Sequence, residues 1–219
     1  MKETTFFLDF DGVLSNSIKE AYLLTRYSLF NVSPFEKIDE HDFQNFKIFR
    51  LKITNSWQYY FFNRNKDFTQ NNETKIFDEK FQKMRQKLIK NHNIFWQSLE
   101  EPTEFLMNLK PFIKKYPNNF KIISTKNKNA IINKLNYWKI PFDKANIYGK
   151  TDLINSTKGD FIHKLSIKNS YLIDDSPENI KSCEKYDNIT GILTNWGYNP
   201  MPHLGKTEIE ILEIIKENI

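Results

Sequence analysis

Four aspartates carry the first chemical signal in this chain of 219 residues. Asp9 and Asp11 follow the apolar run Phe6-Phe7-Leu8, and Asp174 and Asp175 follow Tyr171-Leu172-Ile173. In an extended segment residues two apart point the same way, so Asp9 and Asp11 project from one strand end into one site. Carboxylates held that close raise one another's pKa unless a cation joins them. One aspartate at a strand end is ordinarily a turn former or a helix cap. That explains one pair well, and two pairs behind two apolar strands much less well. A crowd of carboxylates without His or Cys partners suits a hard cation with oxygen ligands, and Mg²⁺ fits best.

Two more polar clusters stand at predicted strand ends. Ser124, with Thr125 and Lys126 beside it, ends the apolar strand expected over 120–124. A hydroxyl there can hold a bound oxyanion, and it can equally cap a helix. Lys158 precedes a short helix expected over 159–165, and Lys150 follows Gly149. A lysine facing the carboxylates neutralises developing negative charge. With 32 basic residues in the chain, these two stand out from the solvated majority by position alone.

The elements that must position these groups form two patterns. From Glu101 on, strands and helices alternate. Strands are expected over 120–124, 145–148, 171–173 and 189–193, and helices over 129–138, 159–165, 177–186 and 207–217. Pro102 is expected to open a helix carrying Phe105, Leu106 and Leu109, and Pro111 to end or kink it. Such alternation predicts an α/β fold with a parallel sheet, whose ligands bind beyond the carboxyl ends of the strands. Residues 15–99 contain no Gly and one Pro, Pro34, and read as helical almost throughout. The clearest helical stripe is Ile76, Phe77, Phe81, Met84 and Leu88. The expected organisation is a core built from 1–14 and 100–219, with a helical insertion over 15–99.

Phe6-Phe7-Leu8-Asp9-Phe10-Asp11-Gly12-Val13-Leu14 closely resembles the first motif of the haloacid dehalogenase-like hydrolase superfamily. Ile122-Ile123-Ser124 is similar to its second motif, and Lys158-Gly159-Asp160-Phe161 to its lysine-bearing third. Tyr171-Leu172-Ile173-Asp174-Asp175-Ser176-Pro177-Glu178-Asn179 resembles its fourth, in the double-aspartate form. Thr194-Asn195-Trp196-Gly197-Tyr198-Asn199 is similar to the loop after the last core strand in phosphatases of this group. The resemblance points to the phosphatase branch with a helical cap between the first and second motifs, phosphoglycolate phosphatase-like. It implies a Rossmann-like parallel core.

The same resemblance implies a mechanism. Asp9 is then the nucleophile that forms an aspartyl-phosphate, and Asp11 the general acid and later the base. Mg²⁺ is held by Asp9, the Asp11 backbone carbonyl and Asp175, with Asp174 in support. Ser124 or Thr125 takes the second-motif hydroxyl role and binds the phosphate. Lys158, or else Lys150 or Lys164, takes the third-motif lysine role. Asn179 stands where many relatives carry another Asp. Asp11 argues for phosphoryl chemistry over dehalogenation, because a halide leaves without a proton. Lys47 and Lys52 are not distinguished as the Schiff-base lysine that phosphonate hydrolysis needs.

The insertion would set the substrate. His41, Arg50, Lys52 and Arg64 are candidates to face it. Arg50 leads, because arginine suits a second anionic group and is scarce in this lysine-rich chain. Trp57, Tyr59, Tyr60, Phe61 and Phe62 could stack on a base, line a partner surface or pack a core.

Composition narrows the classes. One Cys, Cys183, excludes an internal disulfide framework and a multi-thiolate metal site, and it reads as structural. The four His make no metal spacing. The net charge of +5 comes with lysines spread along the chain, and no basic block or stacking-aromatic motif marks a nucleic-acid partner. No apolar run approaches the roughly 18 residues of a membrane helix. No signal-peptide pattern opens the chain, and a cytoplasmic monomer or homodimer is expected. The leading expectation is a Mg²⁺-dependent phosphatase of a small phosphate monoester. A phosphosugar mutase of the beta-phosphoglucomutase type and a non-catalytic ligand-binding or regulatory protein are the alternatives.

Overall fold

A computed structural model describes residues 4–64 and 66–219. The chain begins with β1 (Thr4–Leu8) and the two-residue β2 (Ser15–Asn16). It then enters the helices α1 (Ile18–Phe30), α2 (Glu40–Arg50), α3 (Asn72–Asn91) and α4 (Asn93–Gln97), with a 3-10 turn at Ser56–Phe61. It returns through β3 (Glu101–Pro102), α5 (Glu104–Lys115), β4 (Phe120–Ile123), α6 (Lys128–Tyr137) and β5 (Ile147–Tyr148). The last elements are α7 (Lys158–Lys164), β6 (Asn169–Asp174), α8 (Pro177–Lys181), β7 (Ile189–Leu193) and α9 (Glu208–Asn218). Two compact units result. One comprises the chain up to Asn16 and from Pro102 on, the other Ser17–Glu101.

The first unit is α/β, around a five-stranded parallel sheet of order β5-β4-β1-β6-β7. β1 is central because its TTFFL sequence is buried throughout. Phe6 and Leu8 enter one apolar layer with Phe105, Leu109, Ile131 and Ile211, while Phe7 enters the other with Ile162, Leu172 and Cys183. Side chains that alternate across a strand explain this division. Full burial of each phenylalanine is worth about 1.5–3 kcal/mol. From β1 the chain runs to β4 and β5 on one side, then crosses to β6 and β7 on the other. The carboxyl end of β1 therefore lies at a switch point, where open parallel sheets bind ligands.

The second unit is helical, with an aromatic interior. Tyr59 stacks on Phe46 at 5.3 Å and on Phe81 at 5.8 Å between ring centroids. Tyr59, Phe61 and Phe62 are buried, so much of the 57–62 aromatic run is core packing. Glu20 of α1 is 1% exposed and takes both Nε and Nη2 of Arg85 (α3) at 2.9 Å and the Trp96 indole N–H (α4) at 2.7 Å. That buried network ties three helices together.

Some local expectations fail. Pro111 does not end its helix, since α5 continues to Lys115. Phe105, Leu106 and Leu109 before it and Ile113 after it are all buried. Packing across the proline thus outweighs its cost of about 3 kcal/mol. Pro102 lies in β3, and Thr103 is the true N-cap, accepting from the Leu106 amide. α8 stops at Lys181 instead of running to 186. The 15–99 stretch is less helical than expected, with irregular backbone over 31–39, 51–55 and much of 62–71. Among the described residues, no helix is long and apolar enough to cross a membrane.

Candidate active site

Asp9 is the first residue beyond β1, and its amide still donates to the Ile173 carbonyl at 2.9 Å. Its neighbour strand β6 ends in Asp174, followed by Asp175. All three aspartates are buried, and each offers one carboxylate oxygen within 4.8 Å of the others. Lys158 joins the set from the first turn of α7, which is fixed by a capping box between Thr157 and Asp160. Its Nζ lies 2.5 Å from Asp9 Oδ1 and 2.7 Å from Asp174 Oδ2. Lys150 and Lys164 are both exposed.

Burial raises the Asp9 carboxyl to about 7, against the pull of Lys158 and with smaller pushes from Asp174 and Asp11. Burial works the other way on Lys158, but the Asp174 and Asp9 carboxylates outweigh it and hold the ammonium above its usual value. Asp174 is saturated with donors. Its Oδ1 accepts from the Ser176 amide at 2.9 Å and Asn179 Nδ2 at 3.0 Å, and its Oδ2 takes Asn179 Nδ2 at 3.1 Å besides Lys158. Asn179 thus serves as a donor that pins Asp174.

Asp175 is held from the opposite side. Its Oδ2 accepts from the Tyr198 amide at 2.6 Å. Gly12 (φ +100°) and Gly197 (φ +78°) close on the same oxygen. Both take the left-handed backbone that favours glycine. The turn at Gly12 is tight, its amide donating to the Ser15 carbonyl at 2.7 Å. Within it Asp11 Oδ1 pairs with Lys126 Nζ at 2.9 Å.

Ser124 follows β4 directly. It is buried, and its Oγ accepts from the Lys126 amide at 3.2 Å. Thr125 is exposed. The structure therefore gathers Asp9, Asp11, Asp174, Asp175, Ser124 and Lys158 in one unit at the carboxyl ends of adjacent strands.

Arg50, His41, Lys52 and Arg64 belong to the second unit. There Arg50 donates to the Ile53 carbonyl at 2.6 Å, and the His41 ring contacts Asn45. Lys52 and Arg64 line an open cavity of about 690 Å³ with Phe49, Phe61 and Phe68. Cys183 is buried, and burial pushes its thiol up to about 11, which leaves it inert at neutral pH.

Two partners escaped sequence reasoning. Lys126 was legible only as the third member of its polar cluster; residues 125–126 bend beyond β4, so strand alternation does not place its side chain. The Tyr198 amide carries no side-chain signal, although Gly197 beside it marks a special turn.

The donor set fits a divalent cation. Asp9, Asp174 and Asp175 offer carboxylate oxygens within 4.8 Å of one another, and Asp9 and Asp174 share the one ammonium of Lys158, a formal excess of two negative charges. All the donor atoms are hard oxygens.

No protein-family model matches the sequence, and no curated protein matches it. Solved structures do match its fold. A haloacid dehalogenase-like family hydrolase from Streptococcus pneumoniae superposes with a TM-score of 0.66 at 14% identity, over 98% of this chain and 100% of its own. A protein described as a predicted phosphoglycolate phosphatase, from Haemophilus somnus, gives 0.67 at 15% identity over 98% and 99%. A HAD family hydrolase from Deinococcus radiodurans, solved with bound phosphate and sodium, gives 0.57 at 14% over 98% and 95%. The chain has the haloacid dehalogenase-like fold, a parallel α/β core with an inserted helical unit.

Proposed function

We propose that this protein is a Mg²⁺-dependent phosphatase that hydrolyses a small phosphate monoester through a phosphorylated Asp9. One observation carries the reading: Lys158 bridges Asp9 and Asp174 at the switch point of the sheet, beside Asp175. The phosphate and sodium in the Deinococcus radiodurans structure are an anion and a cation held by the same fold, which supports it.

An Asp9 carboxylate oxygen attacks phosphorus, and the bond from phosphorus to the substrate's ester oxygen breaks. Asp11 gives that oxygen a proton. Water then attacks the phosphorus of phospho-Asp9, Asp11 takes its proton, the bond from Asp9 to phosphorus breaks, and inorganic phosphate leaves. Lys158 offsets negative charge on Asp9 and the phosphoryl group, and Ser124 Oγ holds a phosphoryl oxygen. Thr125, exposed beside it, is a further candidate to contact substrate. Asp9, Asp175 and the Asp11 carbonyl would hold Mg²⁺, with Asp174 in support through Lys158. The bound ion supplies charge neutralisation between nucleophile and phosphate. The inserted helical unit acts as the cap that recognises the rest of the substrate, with Arg50 its leading anion-binding candidate.

Phosphate release from a panel of phosphate monoesters, with Mg²⁺ and with EDTA, tests the reading beside an Asp9→Asn control. Mg²⁺-dependent release that Asp9→Asn abolishes is the expected result. No release by folded protein that binds Mg²⁺ overturns it, and hexose 1-phosphate isomerisation without release points to a mutase.

A further inference from the structure

We propose that Lys126 is a positioning residue for Asp11, and that its ion pair holds Asp11 in place to activate the water that hydrolyses phospho-Asp9. The proposal rests on the phosphatase reading above.

The Lys126 side chain is only 1% exposed, whereas lysines are rarely buried without a partner. Its Nζ reaches Asp11 Oδ1 at 2.9 Å and lies 5.4 Å from the centre of the Phe10 ring. The backbone that carries it is fixed on both sides. Its amide donates to Ser124 Oγ at 3.2 Å, and its carbonyl accepts from the Lys150 amide at 3.0 Å. The backbone that carries the ammonium is thus fixed by the loop after β4, separate from the turn that carries Asp11. Asp11 sits on that tight turn with a side chain 23% exposed, and the ion pair to Lys126 restrains its Oδ1. Holding Oδ1 limits the rotamers of the carboxylate and so the direction of Oδ2.

Holding a general base within hydrogen-bond reach of its water is worth rate, because small misplacements are costly. In the step concerned, the water oxygen bonds to phosphorus, Asp11 takes the water proton, and Asp9 is released as its carboxylate. p-Nitrophenyl phosphate isolates this step, since its leaving group departs without a proton from Asp11.

Rapid-mix kinetics with that ester test the proposal on Lys126→Met in the full chain. The expected result is a near-wild-type burst of about one p-nitrophenolate per site, then a steady rate lower by about 10-fold or more. Acid-quenched protein should then carry more hydroxylamine-sensitive acyl phosphate than wild type. Mn²⁺ affinity should not fall, because the metal contact assigned to Asp11 is its backbone carbonyl and Lys126→Met takes a positive charge away from the site. Lys126→Gln, which keeps a donor and much of the stem, is measured in the same way and should lose less; it also decides the matter if Lys126→Met does not fold. A steady rate equal to wild type overturns the proposal. So does equal slowing of burst and steady phases, which is the signature of a merely structural ion pair. If wild-type protein forms no acyl phosphate and releases no p-nitrophenolate, the phosphatase reading itself has failed.

Discussion

Gly12 leaves Asp175 no room for a neighbouring side chain: a Cβ at position 12 would stand 1.9 Å from Asp175 Oδ2. The loop after β1 and the aspartate that follows β6 are therefore fitted to one another at the level of a single methyl group. Gly12→Ala must displace the carboxylate, or strain a backbone at φ +100° by about 1–3 kcal/mol. We expect Mn²⁺ affinity, read by electron paramagnetic resonance titration, to fall along with turnover. Gly197→Ala, whose Cβ would lie 2.5 Å from the same oxygen, should act in the same direction. Wild-type Mn²⁺ affinity in Gly12→Ala would show that the contact does not position Asp175.

Lys158→Met removes the ammonium that two buried carboxylates share. Breaking a buried pair by deleting one partner costs about 3–5 kcal/mol, because the charge left behind is uncompensated. Urea unfolding in EDTA should show that loss, with turnover abolished in Mg²⁺. A loss below about 1 kcal/mol, the range of exposed pairs, would contradict the buried bridge.

In the helical unit, Arg85→Ala takes the guanidinium from the Glu20 carboxylate, which is 1% exposed. Thermal unfolding should fall by several degrees, in keeping with a cost of about 3 kcal/mol or more. Trp96→Phe removes only the 2.7 Å indole hydrogen bond to Glu20 and should cost less. Equal melting temperatures for Arg85→Ala and wild type would rule out a stabilising role for this network.

Asp160 reports on pH. The Lys185 ammonium, the Tyr186 hydroxyl and Thr157 hold its carboxyl well below the usual carboxylate range. A carboxyl depressed in the folded state contributes stability above its unfolded value of about 3.9, and that stability is lost as pH falls. Asp160→Asn should therefore melt below wild type at pH 7, with the gap narrowing as pH drops through 4. A gap independent of pH would mean that the Asp160 charge does not matter.

Local pattern was enough to determine much of this protein. Phe6-Phe7-Leu8 before Asp9, and Tyr171-Leu172-Ile173 before Asp174, announce buried strands with carboxylates at their ends. Strand and helix periods are written into neighbouring residues, so the parallel α/β core was legible without coordinates. Pro111 was not legible in the same way, because its tolerance depends on Phe105, Leu109 and Ile113 being buried around it. Only the tertiary structure decided which side chains meet. Lys158 lies 149 residues from Asp9, and Lys126 lies 115 from Asp11, distances over which propensity carries no information. Sheet order brings them together: β1 stands between β4 and β6, so the loop after β4 carries Lys126 to the end of β1, while Lys158 arrives there from the first turn of α7, ahead of β6. That order is set by how two apolar layers pack on opposite faces of the sheet, a property of the whole core and of no single segment.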